Sequence, residues 1–489
     1  MSRPPTESEL ALYPSFGERP HTLPGLLERQ ERLAGDRPAF LGPDGSLTFA
    51  EWAERARAAA AHLREQGVRE GDRVGLWAGN DRARAWAIAF LGIQWAGATP
   101  VPMSPRLPRA RVEAALDRID ARLLEGIDEL AGAPPVEPFA PQCREEHAAG
   151  IFHTSGTTGA PKAAILSHAC TVYIAAMQEE HLIGLPAGVE RLGPDDVLQT
   201  SVPLHTTSGL MHLIVVSLFS GCRLVCEERF DAAATAATMA REGSTIWFCV
   251  PSMMVLLGDR YPEAIPGARL RIVWHAGSVA TPEAIAASRT ATGGAAHINL
   301  YSLTETGAGM IGCTAGDAIE APGTVGRPPP STRIWIADGE LRFESPYMFD
   351  GYFGDPEATE AVLPADGWFR SGDGGRVDGD GRYWVTGRLG DVIIRGGNNI
   401  NPSLVEDALM SYPGLLDAAV VPVPHRVLGQ DLAAFVVSDG AVDAASLHEH
   451  CLARLAPYEV PPTIVQVDSL PRNEFGKLDR RSIREAAAR

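Results

Sequence analysis

Hydroxyls, glycines and a lysine are concentrated in Thr154-Ser155-Gly156-Thr157-Thr158-Gly159-Ala160-Pro161-Lys162. Glycines let backbone N–H groups turn towards a ligand, the hydroxyls add donors, and the lysine adds a mobile positive charge. Together they suit a polyphosphate. A solvent-exposed Ser/Thr/Gly linker has a similar composition. Against a linker stand the terminal Pro-Lys and the apolar flanks, Ile151-Phe152 before and Ala163-Ala164-Ile165-Leu166 after. The G-x-x-x-x-G-K-[ST] spacing of the kinase and GTPase phosphate loop is absent from this stretch.

The segment closely resembles the phosphate-binding loop of the adenylate-forming superfamily, which includes acyl-CoA synthetases, adenylation domains and luciferases. Further motifs follow in that family's order, from about Leu23 to Arg481. Asn299-Leu300-Tyr301-Ser302-Leu303-Thr304-Glu305 matches Asn-x-Tyr-Gly-x-Thr-Glu, with Ser302 in place of the usual glycine. Tyr301 can stack on a purine, Thr304 can donate to a phosphate, and Glu305 can hold Mg²⁺. His275-Ala276-Gly277-Ser278 aligns with the turn that receives adenine, and Gly367 to Asp373 with the motif whose aspartate grips the ribose hydroxyls. Arg388 matches a residue that contacts nucleotide phosphate or ribose. Pro471 to Arg480 matches Pro-x-x-x-x-Gly-Lys-x-x-Arg, which places the catalytic lysine at Lys477.

The pocket for the acid is less well defined. Pro203-Leu204-His205-Thr206-Thr207-Ser208-Gly209 is shifted against the family's Pro-Leu-aromatic-His-x-x-Gly, with His205 at the aromatic position and Thr206 at the histidine position. A lone histidine is also an ordinary structural residue, so His205 is a pocket-lining candidate only. Thr206, Thr207, Trp247, Trp274 and His275 are further candidates. Phe230-Asp231, followed by alanines, reads as a helix start and not as a carboxylate for an amino acid's ammonium, which favours a simple acid.

Alternating helix-like and strand-like runs must position these residues. Thr48 and Glu51 form a capping box for an Ala/Arg/Glu-rich helix, with strands at Arg73 to Ala78 and Ala98 to Pro102 around a helix from Asp81 to Gly97. That alternation predicts α/β layering with parallel strands. Further strands are expected at Val197 to Val202, Ile246 to Val250 and Ile272 to Trp274. The region Thr324 to Pro346 is shorter than its family counterpart. The resemblance implies a large N-terminal domain of layered α/β subdomains over 1–387, a hinge at 388–391, and a small mobile α+β C-terminal domain over 392–489. The hinge residue, usually Asp or Lys, is Gly390, which permits a large φ/ψ change but carries no charge. Arg395-Gly396-Gly397 lies where the family closes off its pantetheine channel.

Composition sets the outer limits. The 489 residues, 45% hydrophobic and 21% charged, are enough for two or more domains with a large core. A net charge of -18 disfavours nucleic acid and anionic membranes as partners, so an anionic cosubstrate needs local donors. Seven cysteines without C-x-x-C pairs read as reduced thiols of a cytoplasmic protein, with Cys222 and Cys226 as core or strand residues. The longest apolar run, Leu213 to Phe219, is too short to span a bilayer. The resemblance implies a ligase that uses ATP and Mg²⁺ to convert a small-molecule carboxylic acid to an acyl-adenylate, then passes it to coenzyme A. An acyl or peptidyl carrier protein, or a separate partner enzyme, is the alternative acceptor.

Overall fold

Thr48 caps the helix Phe49–Glu65 as expected: its hydroxyl accepts from the Glu51 N–H and the Glu51 carboxylate accepts from the Thr48 N–H. The computed structural model to which this helix belongs describes residues 3–154, 162–179, 192–277, 280, 282–307, 311–321, 323–396, 398–472 and 478–487. The chain packs as two units. The first comprises Met1–Ile334, Phe343–Phe369 and Asp378–Tyr383; the second comprises Trp335–Arg342, Arg370–Val377 and Trp384–Arg489.

Among the described residues, the first unit is built on three sheets. The strand Arg73–Trp77 runs parallel to Thr99–Met103 on one side and to Ala121–Leu123 on the other. The largest sheet has eight strands, in the order Ile311–Thr314, Ala296–Tyr301, Ile272–Ala276, Ile246–Cys249, Val197–Thr200, Arg223–Cys226, Pro38–Gly42, Gly45–Thr48. Its two outermost strands pair antiparallel to their neighbours, and the strands between them are parallel. Ile246–Cys249 and Ile272–Ala276 are buried along their whole length, the pattern of strands covered on both faces. The third sheet is antiparallel, with Lys162–Ser167 between Ala148–Thr154 and Gly351–Tyr352.

The helix start expected at Phe230-Asp231 is present, with the Asp231 carboxylate accepting from the Ala234 N–H at the head of Ala232–Glu242. Cys222 and Cys226 are buried free thiols. The short region before Pro346 is a tight hairpin, Arg333–Ala337 to Glu340–Glu344. Its loop is Asp338-Gly339, both at positive φ (53° and 79°), as a two-residue turn matching strand twist requires.

The second unit contains a mixed sheet. Leu415–His425 and Gly429–Ser438 form a long antiparallel hairpin, flanked by Ile393–Arg395 with Asn398–Ile400 and by the parallel strand Thr463–Gln466. One face buries Ile393, Ile400, Val420, Leu432 and Val436 with Val405 and Leu409 of the helix Pro402–Met410 and Leu447 of Ala444–Leu452. The other buries Ala419 and Val421 against Ile483 of Arg480–Ala487. This is the α+β arrangement expected of the C-terminal segment. Among the described residues no helix is long and apolar enough to cross a membrane.

Candidate active site

Two strands pin the ends of the predicted phosphate loop. Thr154 closes Ala148–Thr154 directly opposite Lys162, which opens Lys162–Ser167, and the Thr154 hydroxyl donates to the Lys162 carbonyl oxygen at 3.5 Å. Ser155, Gly156, Thr157, Thr158 and Gly159 lie outside the described residues. On the other side of Lys162–Ser167, Tyr352 pairs with Ala164, so Lys162 is its diagonal neighbour on the same face. The Lys162 ammonium sits 4.8 Å from the centroid of the Tyr352 ring. From the same ring the phenol donates to Glu305 Oε1 at 2.6 Å.

Glu305 belongs to a single 3₁₀ turn, Thr304–Thr306, which follows the strand Ala296–Tyr301. The turn is tied on several sides. The Glu305 carbonyl accepts from the Phe349 N–H at 2.9 Å, and Thr207 donates from its hydroxyl to that of Thr304 at 3.2 Å. Gly307, at φ 64°, ends the turn, and a Cβ there would come within 2.0 Å of Ile174 Cδ1. Among the described residues no cluster of three His, Cys, Asp or Glu side chains could form a metal cage. Glu305 fits a different arrangement, one in which Mg²⁺ takes one or two carboxylates and completes its shell with phosphate oxygens and water.

Ala276, Gly277, Asn299 and Tyr301 lie in the carboxyl halves of adjacent parallel strands or just beyond them, where open α/β sheets bind their ligands. Ala276 ends its strand, and Gly277, at φ 94°, begins the turn that a side chain would strain. Ser278 lies outside the described residues. Asn299 is buried in Ala296–Tyr301, and its Oδ1 has no hydrogen-bond partner among the described residues. Tyr301 ends the strand with its ring tilted on Phe343, centroids 5.9 Å apart, and Ser302 follows. His205 is buried with both ring nitrogens unpartnered among the described residues. Burial pushes its pKa down to about 4, so the ring is neutral at pH 7. Thr206, by contrast, spends its hydroxyl on local backbone, accepting from the Gly209 N–H and donating to the Pro203 carbonyl.

Trp274 and His275 were expected to share a pocket. They are successive residues of one strand and face opposite layers. Trp274 packs edge-on against Phe248, whereas His275 lies beside His297, whose ring reaches Ser288 of the helix Pro282–Ala291. One face cannot present both side chains. Trp247 is fully buried in the same core as Val273 and Ile285.

In the second unit Asp373 lies on Phe369–Val377 and Arg388 ends Tyr383–Arg388. The Arg388 Nε meets Asp373 Oδ1 at 2.9 Å, and its Nη1 donates to the Ser371 carbonyl at 2.7 Å. Ser371 in turn donates to the Leu341 carbonyl and accepts from the Asp373 N–H, which fixes the carboxylate's backbone. Gly390 lies in the short turn Leu389–Asp391, with open space where a Cβ would be. Arg395 pairs with Asp431 at 2.8 Å and donates to the Tyr458 carbonyl at 2.8 Å, so its guanidinium is engaged within its own unit. Gly396 takes φ 56°; Gly397 lies outside the described residues. So does Lys477.

Sequence reading missed Tyr352. Its cue was modest: a Gly-Tyr pair just after Tyr347-Met348-Phe349-Asp350. Nothing in the linear order linked it to Lys162 or Glu305.

Known proteins are similar to this chain over nearly its whole length. A model of AMP-binding enzymes matches residues 27–132 and 124–353, and a model of their C-terminal domain matches 404–477. Sulfoacetate–CoA ligase of Cupriavidus necator is 29% identical over 94% of this chain and 96% of its own length. A feruloyl-CoA synthase of an Amycolatopsis species is 31% identical over 93% and 97% respectively. The o-succinylbenzoate CoA synthetase of Bacillus subtilis, solved with its acyl-adenylate intermediate, superposes with a TM-score of 0.83 at 25% identity, covering 94% of this chain and 97% of that one. The same enzyme with ATP and a magnesium ion gives 0.82 at 25% identity over 93% and 98%. With its motifs in order and both domain models matched, the chain belongs to the AMP-binding enzyme family.

Proposed function

We propose that this chain is an AMP-forming carboxylic acid–CoA ligase whose adenylation chemistry is centred on Glu305. The carrying observation is the Lys162–Tyr352–Glu305 array, which brings the end of the phosphate loop and a carboxylate onto one aromatic ring. Relatives named as CoA ligases across nearly their whole length support the same reading.

Both reactants of the first step are anions, so the protein must supply positive charge and position. The Thr154–Lys162 loop holds the β- and γ-phosphates, and Thr304 donates to a phosphate oxygen. Glu305 is the protein ligand for Mg²⁺, which when bound neutralises phosphate charge. Ala276, Gly277 and Ser278 form the adenine turn, with Asn299, Tyr301 and Ser302 beside it. Asp373 accepts from the ribose hydroxyls, Arg388 orients it, and Lys477 meets the carboxylate and the α-phosphate. A hinge at 388–391, with Gly390 at its centre, lets the C-terminal domain over 392–489 exchange the adenylation pose for the thioester pose. Arg395, Gly396 and Gly397 border the pantetheine path.

A simple carboxylic acid is the favoured substrate, with Asp231 capping its helix through Oδ1. His205 offers it a neutral hydrogen-bonding ring. A pyrophosphate-release screen over fatty, aryl, dicarboxylic and polycyclic acids tests this, followed by measurement of AMP and acyl-CoA with and without CoA. Equal AMP and acyl-CoA are expected. Acyl-adenylate that accumulates despite excess CoA would instead mean transfer to a carrier protein or a partner enzyme.

A further inference from the structure

We infer that Tyr352 is a positioning residue for the metal-bearing carboxylate, and that it couples the orientation of Glu305 to that of Lys162. The inference rests on the reading of Glu305 as the Mg²⁺ ligand. Tyr352 is 8% exposed, and its ring is fixed by more than its two polar neighbours. Its N–H donates to the Thr359 hydroxyl at 2.9 Å, and Phe349 packs edge-on against it with centroids 5.0 Å apart. The segment 349–352 therefore holds Glu305 twice, through the Phe349 N–H at its carbonyl and the phenol at its carboxylate.

The chemistry of the ring explains the choice of residue. A phenol donates one hydrogen bond to one carboxylate oxygen and adds no charge, so the other oxygen and the full negative charge are left for a cation. A lysine or arginine in that place would neutralise the carboxylate that the metal needs. The ring's electron-rich face attracts the Lys162 ammonium, which has no carboxylate partner among the described residues, and aligns the side chain at the loop's end. A cation on the face also withdraws electron density from the phenol and strengthens its O–H as a donor. Two groups distant in sequence thus share one rigid support.

Tyr352→Phe removes the hydroxyl and keeps the ring; Tyr352→Leu removes both. The test is equilibrium binding of a non-hydrolysable ATP analogue at low and saturating Mg²⁺, beside the Mg²⁺ dependence of pyrophosphate release. For Tyr352→Phe we expect about ten-fold weaker analogue binding at low Mg²⁺, recovery at saturating Mg²⁺, and an unchanged KM for the acid. Tyr352→Leu should bind more weakly at both concentrations, because Lys162 has lost its platform. If Tyr352→Phe follows the wild-type Mg²⁺ curve while Glu305→Gln does not, the role of Tyr352 is overturned and that of Glu305 stands. If neither variant departs from the wild-type curve, the reading of Glu305 itself falls. A loss in Tyr352→Phe that saturating Mg²⁺ does not restore marks a purely structural role and also overturns the inference.

Discussion

Glu305 in the first unit and Asp373 in the second are carboxylates held by partners of different charge. Glu305 receives a neutral phenol, and no cation pairs with it among the described residues. Asp373, only 5% exposed, meets the guanidinium of Arg388 at 2.9 Å. A carboxylate tied by a neutral donor keeps its charge for a hard cation. One whose charge is already balanced keeps spare lone pairs but attracts a second cation weakly, which suits neutral hydroxyls. Both side chains end in a carboxylate; the partner differs.

Experiments on the two sites should therefore part company. The largest effect is expected from Lys477→Ala and Glu305→Gln, each lowering acid-dependent pyrophosphate release on the order of a hundred-fold or more. Of the two, only Glu305→Gln should also raise the Mg²⁺ concentration needed for half-maximal rate. Normal adenylate formation by Lys477→Ala would remove that residue from the chemistry. Asp373→Asn should raise the KM for ATP about ten-fold, the worth of a charge-assisted hydrogen bond, with the Mg²⁺ curve unmoved. A Mg²⁺ curve that shifts with Asp373→Asn would erase the contrast between the two carboxylates. The smallest effect on adenylation belongs to Gly390→Pro, where nothing lies near a new Cβ. Adenylation should stay within about two-fold while acyl-CoA formation falls, because proline fixes the φ that a hinge must change. Equal loss of both half-reactions would argue against a hinge there.

Much of the fold was legible because its determinants are local. The Thr48–Glu51 box, the Asp231 cap and the buried strands at Ile246 and Ile272 depend on residues a few positions apart. The strand at Ile272 runs on through His275 and Ala276, so two residues assigned to a turn belong to the sheet. The candidate site was legible in its motifs and not in its geometry. Period-two alternation already separated Trp274 from His275, but which layer covers each face depends on helices elsewhere in the chain. Arg395, read as bordering a channel, spends its guanidinium on Asp431 and the Tyr458 carbonyl.

By itself, the sequence determined the family, the order of its motifs and the residue types available for nucleotide chemistry, since these follow from spacing along one chain. It also determined the caps and turns, whose hydrogen bonds close over three or four residues. The tertiary structure decided which donor meets which carboxylate. Tyr352 joins Glu305 and Lys162 only because Gly351–Tyr352 pairs with Lys162–Ser167, and Arg388 reaches Asp373 only because their strands belong to one sheet. Such pairings are set by strand register, which sums many weak long-range contacts and leaves no single residue pattern to read.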